Sequence, residues 1–469
     1  MLALVLALRQ GGYRGHVTSG GHFATFAAEF LRDFPELDSI CRFEADRTLV
    51  ELVESIHHGR PLDGVAGLAL QGGGEARFTA PRPLPELDGL PWPDRRGEPA
   101  RCFGHAIMPL VGSRGCYGRC SFCSIAAWQD KGSTGKRFRM RRVEDIADEM
   151  AEQQRSRGVE IFVFQDDNFF LPRAEASLAR IHALADALAA RGVTRFATVV
   201  KARADDVQRE VFTALVERLH CLRAYVGIES HADAGLRTLA RNTAPSDNER
   251  ALALVRELGL YICFNVLPFD PDATLDTFAE NIGFLGRVVD FPFCISRVEL
   301  YAGTPILARM AKEGRCRGDY LRWDYSLADP RLEQVFRWFL SCLHDRNYGD
   351  EAAVVQLWLL RFDVEACRFF HPESYRASFL ERAVAITRAV SSDTVRALED
   401  LVTLAREGRA SDVVDVLAAI TSRARAVDAE AHQAMRALAA DMSRAVGSPA
   451  SLCEVRHVLD ASPPAPAFA

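Results

Sequence analysis

Three thiols stand close together in Gly115-Cys116-Tyr117-Gly118-Arg119-Cys120-Ser121-Phe122-Cys123, a C-x3-C-x2-C spacing. Thiolates at this spacing can converge on one inorganic cluster while backbone amides of a tight, glycine-containing loop point at its sulfides. Three protein ligands leave one iron with an open coordination position, which a structural cluster or a structural zinc would fill with a fourth Cys or His. Zinc with a distant fourth ligand, or a chance spacing, is the competing reading. The other nine of the twelve cysteines are scattered singly, as buried thiols are in a reducing compartment, so no disulfide framework is expected.

The elements around this loop must bring other polar groups to it. From Ala106 to Thr304, short apolar runs alternate with amphipathic helical patterns, the signature of a parallel β/α architecture. Strands are expected over Ala106–Val111, Glu160–Gln165, Phe196–Lys201, Arg223–Ile228, Tyr261–Leu267 and Ile295–Tyr301. The fold class is therefore α/β, a partial (β/α)6 TIM-like barrel with its chemistry at the C-terminal strand ends. The cysteine loop follows the first strand. Later strands end in Gln165-Asp166-Asp167-Asn168, Lys201-Ala202-Arg203-Ala204-Asp205, Val226-Gly227-Ile228-Glu229-Ser230 and a segment containing Asn265. Taken alone, paired aspartates after a strand also suit an Asx turn or a helix cap, and Arg203 also suits a surface salt bridge. In the sixth strand, alternation puts Arg297, Glu299 and Tyr301 on one face, either the lumen or the outside.

The loop, with an aromatic residue before its last cysteine, and the series of strand-end motifs resemble the radical S-adenosylmethionine (SAM) superfamily. The resemblance implies that Cys116, Cys120 and Cys123 hold a 4Fe–4S cluster whose open iron binds the amino and carboxylate groups of SAM. Electron transfer would then cleave the sulfonium to a 5′-deoxyadenosyl radical inside a closed barrel mouth, with a flavodoxin- or ferredoxin-type donor. It further implies that Phe122 packs near the adenine and that Asp166 or Asp167 accepts the methionine ammonium. Arg203 would clamp the carboxylate, Glu229 and Ser230 would contact the ribose or methionine portion, and Asn265 would add a further cofactor contact. Tyr301-Ala302-Gly303-Thr304-Pro305 resembles the Tyr-x-Gly-Thr-Pro segment of the cobalamin-associated branch.

The expected organisation is residues 1–80 as a truncated Rossmann-like unit, 81–105 as a proline-rich linker, 106–324 as the barrel, 325–460 as a helical region, and 461–469 as a disordered tail. In the first unit, a helix over 1–10 precedes a strand at His16–Thr18, a helix over Thr25–Arg32, a strand at Ser39–Cys41 and a helix over Leu49–His57. This resembles the back half of a cobalamin-binding domain, whose first strands supply much of the cofactor rim. The D-x-H-x-x-G ligand motif is absent, and Phe43-Glu44-Ala45-Asp46 stands where the family shows Gly-Glu-Gly-Glu. Loss of both glycines is expected to abolish a positive-φ turn. The expectation is a unit decayed to a structural lid with cobalamin not bound, the alternative being a mis-assigned start codon.

Without cobalamin, methyl transfer is closed, leaving hydrogen abstraction followed by elimination, epimerisation, oxidation or rearrangement. Size and the vestigial unit resemble the radical dehydratases of apramycin- and tobramycin-type aminoglycoside pathways, which remove the 3′-hydroxyl of paromamine. That resemblance implies abstraction at C4′ and departure of the C3′ hydroxyl, with Glu299 or Tyr301 as general acid and Tyr225 in reserve. Carboxylates at strand ends suit a cationic aminocyclitol. The alternatives are a cobalamin-dependent methylase of a natural product and a non-catalytic iron–sulfur scaffold. A net charge of −6 gives no basic footprint for nucleic acid, and the Lys136–Arg142 run suits a solvated or small-anion-binding loop. No apolar stretch reaches the ~20 residues a bilayer needs, and Met1–Arg9 lacks a basic leader, so a cytoplasmic protein is expected. The helical C-terminus either pairs two chains as a homodimer or closes the barrel.

Overall fold

Runs rich in Val, Ile and Phe alternate with amphipathic helices, and each crossover must return on the same side of a twisted sheet. The computed structural model describes residues 2–132, 137–349, 351–408 and 411–452. Six parallel strands stand side by side in chain order: His105–Leu110, Val159–Phe164, Ala197–Arg203, Cys221–Gly227, Tyr261–Phe269 and Phe293–Arg297. A short edge strand, Ala100–Cys102, pairs antiparallel with the first. The result is a curled seven-stranded half-barrel in an α/β fold.

Alternation along these strands divides their side chains between two cores. On the outer face, Met108, Phe162, Phe164, Val200, Ala224 and Ile262 pack with the helices Val143–Arg157, Ala174–Ala190, Arg209–Leu219 and Pro245–Glu257. On the inner face, Ile161, Val199, Tyr261 and Cys263 pack with Leu357, Leu360 and Phe362 of the helix Ala353–Phe370. Helices Ala377–Glu407 and Val413–Val446 complete this second core through Phe379, Val390, Met435 and Leu438. The C-terminal helices therefore close the lower barrel lumen and leave space only near the C-terminal strand ends. Each large apolar side chain so buried contributes about 1.5–3 kcal/mol, which keeps the plug in place.

The N-terminal strands Thr18–Gly20 and Ser39–Cys41 pair in parallel, and a hairpin of Leu68–Gln71 and Ala76–Phe78 extends their sheet. This sheet rests on the helix that follows the cysteine loop, Ser124–Gly132. His22, Phe26 and Phe43 surround Trp128 at ring-centroid distances of 4.2, 6.1 and 5.2 Å. A Cβ on Gly132 would lie 2.5 Å from the Phe43 ring, so only glycine permits this approach. Glu44 accepts ion pairs from Arg114, at 2.7 Å, and from Arg139, while Asp46 pairs with Arg114 at 2.9 Å. Phe43 has φ 56°, so the left-handed turn expected to vanish with its glycine is kept. Aromatic packing at Phe43 offsets the roughly 1–3 kcal/mol such a backbone costs.

Other expectations are corrected. The sixth strand stops at Arg297 rather than Tyr301, because the Tyr325 hydroxyl takes the Val298 carbonyl at 2.7 Å and removes it from the ladder. Glu299 and Tyr301 therefore lie beyond the strand, and alternation does not orient them. The helix expected over Thr25–Arg32 is two, Gly21–Phe26 and Phe30–Asp33. Within the proline-rich stretch, Ala100–Cys102 belongs to the main sheet. A hairpin of Cys316–Asp319 and Arg322–Tyr325 has no counterpart in the sequence reading. The tail 461–469 lies outside the described residues, as does Lys136 of the basic run. Among the described residues, no helix is long and apolar enough to cross a membrane. Leu360→Ala is expected to destabilise the chain by about 2–5 kcal/mol through the cavity left in the plug, read as a lowered midpoint in urea.

Candidate active site

The first strand turns into the cysteine loop through two glycines that tolerate no side chain. Gly115 has φ 90° and lies against the Arg137 carbonyl, and a Cβ on Gly118 would lie 2.7 Å from Nη1 of Arg203. The loop thiols then receive different partners. The Gly118 N–H donates to Sγ of Cys116 at 3.3 Å. Sγ of Cys120 receives Nη1 of Arg241 at 3.4 Å and Nη1 of Arg203 at 3.7 Å. Cys123 faces the backbone amides of Ile125 and Ala126 in the first turn of Ser124–Gly132. Burial pushes the Cys116 thiol up to about 11 and raises Cys123, and each thiol feels the charge of its neighbours. Among the described residues, no group of three or more His, Cys, Asp or Glu side chains is arranged to hold a single metal ion.

The three cysteines open onto a cavity of about 370 Å³ at the C-terminal strand ends. Phe122, Asp167, Arg203, Glu229 and Asn265 share its wall, and Tyr225 lies on the same wall with Trp358. Cys263 faces it too, but its thiol keeps company with Arg223 and Tyr261. Asp167 accepts the Gly115 N–H at 3.0 Å, and burial raises its pKa while Lys201 and His22 oppose the rise. Arg203 is engaged by Asp205 at 2.9 Å and by the Arg241 carbonyl at 2.7 Å, so it holds the loop as well as facing the cavity. Glu229 sits at φ 59°, with its carboxylate 3.9 Å from Nη1 of Arg241. Burial, its largest influence, raises the Glu229 pKa against that arginine.

Two expected contacts do not reach the cavity. Asp166, 2 % exposed, turns the other way, accepting the Gly112 N–H at 2.7 Å and the Ser113 hydroxyl at 2.8 Å. It ties the ends of the first two strands together. Ser230 is fully buried, its hydroxyl spent on Asn281 at 3.2 Å and on the Ala232 amide at 3.2 Å. In each pair of neighbours only one side chain can face inward, since successive residues point to opposite sides.

Glu299 and Tyr301 are not brought to the cysteines. They hydrogen-bond to each other in a second cavity of about 1050 Å³, and burial with this bond pushes the Tyr301 phenol up to about 12. This cavity lies among His22 and Phe23 of the helix Gly21–Phe26, the hairpin with Trp323, and the helix Pro330–Asn347. Arg297 borders it but stacks on Tyr325 at 3.9 Å, and its Nε, like Nε1 of Trp323, is buried without a partner. The two cavities are neighbours. Ser124 borders the second one residue past Cys123, and Asp167 of the first is felt by His22 of the second. Sequence reasoning missed Arg241 and Trp358. Neither carries a local signal: one follows a short helix after the fourth strand, the other arrives on the lumen-closing helix.

Residues 110–285 match the radical SAM superfamily. The barrel segment has the radical SAM fold. The uncharacterized methyltransferase PH0819 of Pyrococcus horikoshii is 28% identical over 67% of this chain and 64% of its own. The chain thus spans less than two thirds of that relative. Among solved structures, the cobalamin-dependent SAM radical enzyme OxsB with aqua-cobalamin and SAM bound matches at TM-score 0.61 and 17% identity, over 94% of this chain and 73% of that one. The radical SAM methyltransferase TsrM of Kitasatospora setae, with cobalamin and a [4Fe-4S] cluster bound, matches at TM-score 0.54 and 19% identity, over 66% and 60%. These matches overturn the expectation that cobalamin is not bound. The OxsB fold extends over nearly the whole chain, so the N-terminal sheet has the form it takes in a cobalamin-bound protein. Its loop at Phe43 has kept its turn.

Burial pushes the Asp166 carboxyl from about 3.8 up to about 6. Between those values the folded chain binds more protons than the unfolded one, so this group's contribution is present below about pH 4 and lost as pH rises to 6. Asp166→Asn is expected to gain melting temperature relative to the wild type across that window and to hold the difference above it. A flat difference from pH 4 to 7 would contradict the assignment.

Proposed function

We propose that this protein is a cobalamin-dependent radical SAM enzyme that transfers a methyl group to a small polar substrate. One observation carries the reading: a three-thiol loop facing a cavity at the barrel mouth, beside a larger cavity bordered by the helix Gly21–Phe26 of the N-terminal unit. Cys116, Cys120 and Cys123 would hold a 4Fe–4S cluster, with Asp167 placed to accept the ammonium of SAM and Phe122 an apolar wall for its adenine. Glu229 and Asn265 offer acceptors and donors to the ribose, and Tyr225 with Trp358 shields the cavity from below. The second cavity suits a large ligand edged with amide carbonyls. Arg297, Arg322 and Trp323 line it and carry N–H donors. Bound in these places, the cluster supplies a single electron and cobalamin a methyl carrier.

The chain's own residues set the order of events. Asp167 and Arg203 would orient SAM over the thiol loop, the lumen-closing helix excludes water, and the Tyr301 hydroxyl donates to Glu299 at the second cavity. A flavodoxin- or ferredoxin-type donor would supply the electron. The paromamine dehydratase reading loses its premise, since it followed from the absence of cobalamin. Its proposed acids Glu299 and Tyr301 also line the second cavity and not the one the cysteines open onto.

Anaerobically reconstituted protein is expected to retain cobalamin through gel filtration and to form 5′-deoxyadenosine from SAM with a low-potential reductant. Loss of cobalamin on the column would sink the cobalamin assignment. Cys120→Ala should lose both the iron and the turnover. Asp167→Asn, deprived of one charge-assisted hydrogen bond worth about 1.5–3 kcal/mol, should weaken SAM binding by roughly 10–100-fold in equilibrium dialysis. Unchanged affinity would remove Asp167 from the site.

A further inference from the structure

We propose that Arg241 is a positioning residue for the electron. Its guanidinium, held against Sγ of Cys120, raises the reduction potential of the cluster bound by Cys116, Cys120 and Cys123. The inference rests on the reading of the cysteine loop as a cluster site.

Two arginines converge on one sulfur. Arg241 and Arg203 donate to Sγ of Cys120 from 3.4 and 3.7 Å, and both side chains are almost wholly buried, at 6% and 7% exposure. Cys116 receives a backbone amide at 3.3 Å and feels Arg203 only through space, so the guanidinium hydrogen bonds go to Cys120. Arg241 cannot drift from this position. Its Nη2 donates to the Gly227 carbonyl at 2.7 Å, and its own carbonyl accepts Nη2 of Arg203 at 2.7 Å. A Cβ on Gly227 would lie 3.1 Å from that Nη2 and 2.9 Å from Oε1 of Glu229, so the end of the fourth strand is shaped to admit the guanidinium.

The two cations differ in how much charge they deliver. Asp205 sits 2.9 Å from Nε of Arg203 and balances it, whereas the carboxylate nearest Arg241 is Glu229 at 3.9 Å. Arg241 is therefore the less compensated of the two cations that act on the sulfur. Reduction adds one electron from a low-potential one-electron donor and makes the cluster more negative by one charge. A buried cation hydrogen-bonded to a ligating thiolate stabilises that reduced state more than the oxidised one, which moves the potential upward. With solvent excluded the effect is weakly screened.

The test is redox titration of the full chain, anaerobically reconstituted, followed by the electron paramagnetic signal of the reduced cluster in the absence of SAM. Arg241→Gln is expected to shift the midpoint to a more negative potential, Arg203→Gln to shift it less, and Arg241→Lys to fall between Arg241→Gln and wild type. An unmoved midpoint in Arg241→Gln with full iron and sulfide content overturns the proposal, even if SAM affinity falls. Should Arg241→Gln fail to assemble a cluster, Arg241→Met, which also removes the charge, decides, and a wild-type midpoint there overturns the proposal. A wild-type chain that binds no 4Fe–4S cluster would instead refute the reading of the cysteine loop.

Discussion

Three thiols in one short loop become mutually repelling anions when they ligate iron, and burial makes each of those charges harder to carry. The raised values at Cys116 and Cys123 express that cost. Everything around the loop works against it. Two arginines reach Cys120, the first turn of a helix turns its amides toward Cys123, and the Gly118 amide serves Cys116. Each device needs backbone to pass very close to side chain, which is why Gly115, Gly118 and Gly227 occupy their positions.

The remainder of the fold keeps that arrangement dry. A half-barrel of six parallel strands has an open side and an open floor, and bare inner faces would admit water. Helix Ala353–Phe370 fills the floor, placing Trp358 beneath the cavity, and the two long helices that follow hold it there. At the mouth, the N-terminal sheet is fastened by the Trp128 aromatic group and by Glu44 and Asp46 on Arg114. These ion pairs sit one residue before Gly115. Movement of the N-terminal sheet would therefore be felt in the loop that carries the cysteines.

Adjacent residues separate in their roles because a strand has two faces. Asp167 borders the cavity while Asp166 ties strands together, and Glu229 faces inward while Ser230 closes a turn. The motifs at the strand ends were readable, but which member of each pair points inward depends on where the strand releases the chain. That release point moved at the sixth strand, where the Tyr325 hydroxyl ended the ladder early and carried Glu299 and Tyr301 into another cavity.

The sequence by itself determined the class of fold, the six strands to within a few residues at most ends, and the three-cysteine loop. All of these rest on local spacing and periodicity, which the chain carries in neighbouring residues. Only the tertiary structure decided that the C-terminal helices fill the lumen, that Arg241 reaches Cys120 from 121 positions away, and that the helix Gly21–Phe26 borders a second cavity. Those outcomes depend on which distant apolar faces bury one another. No short stretch of residues contains that information.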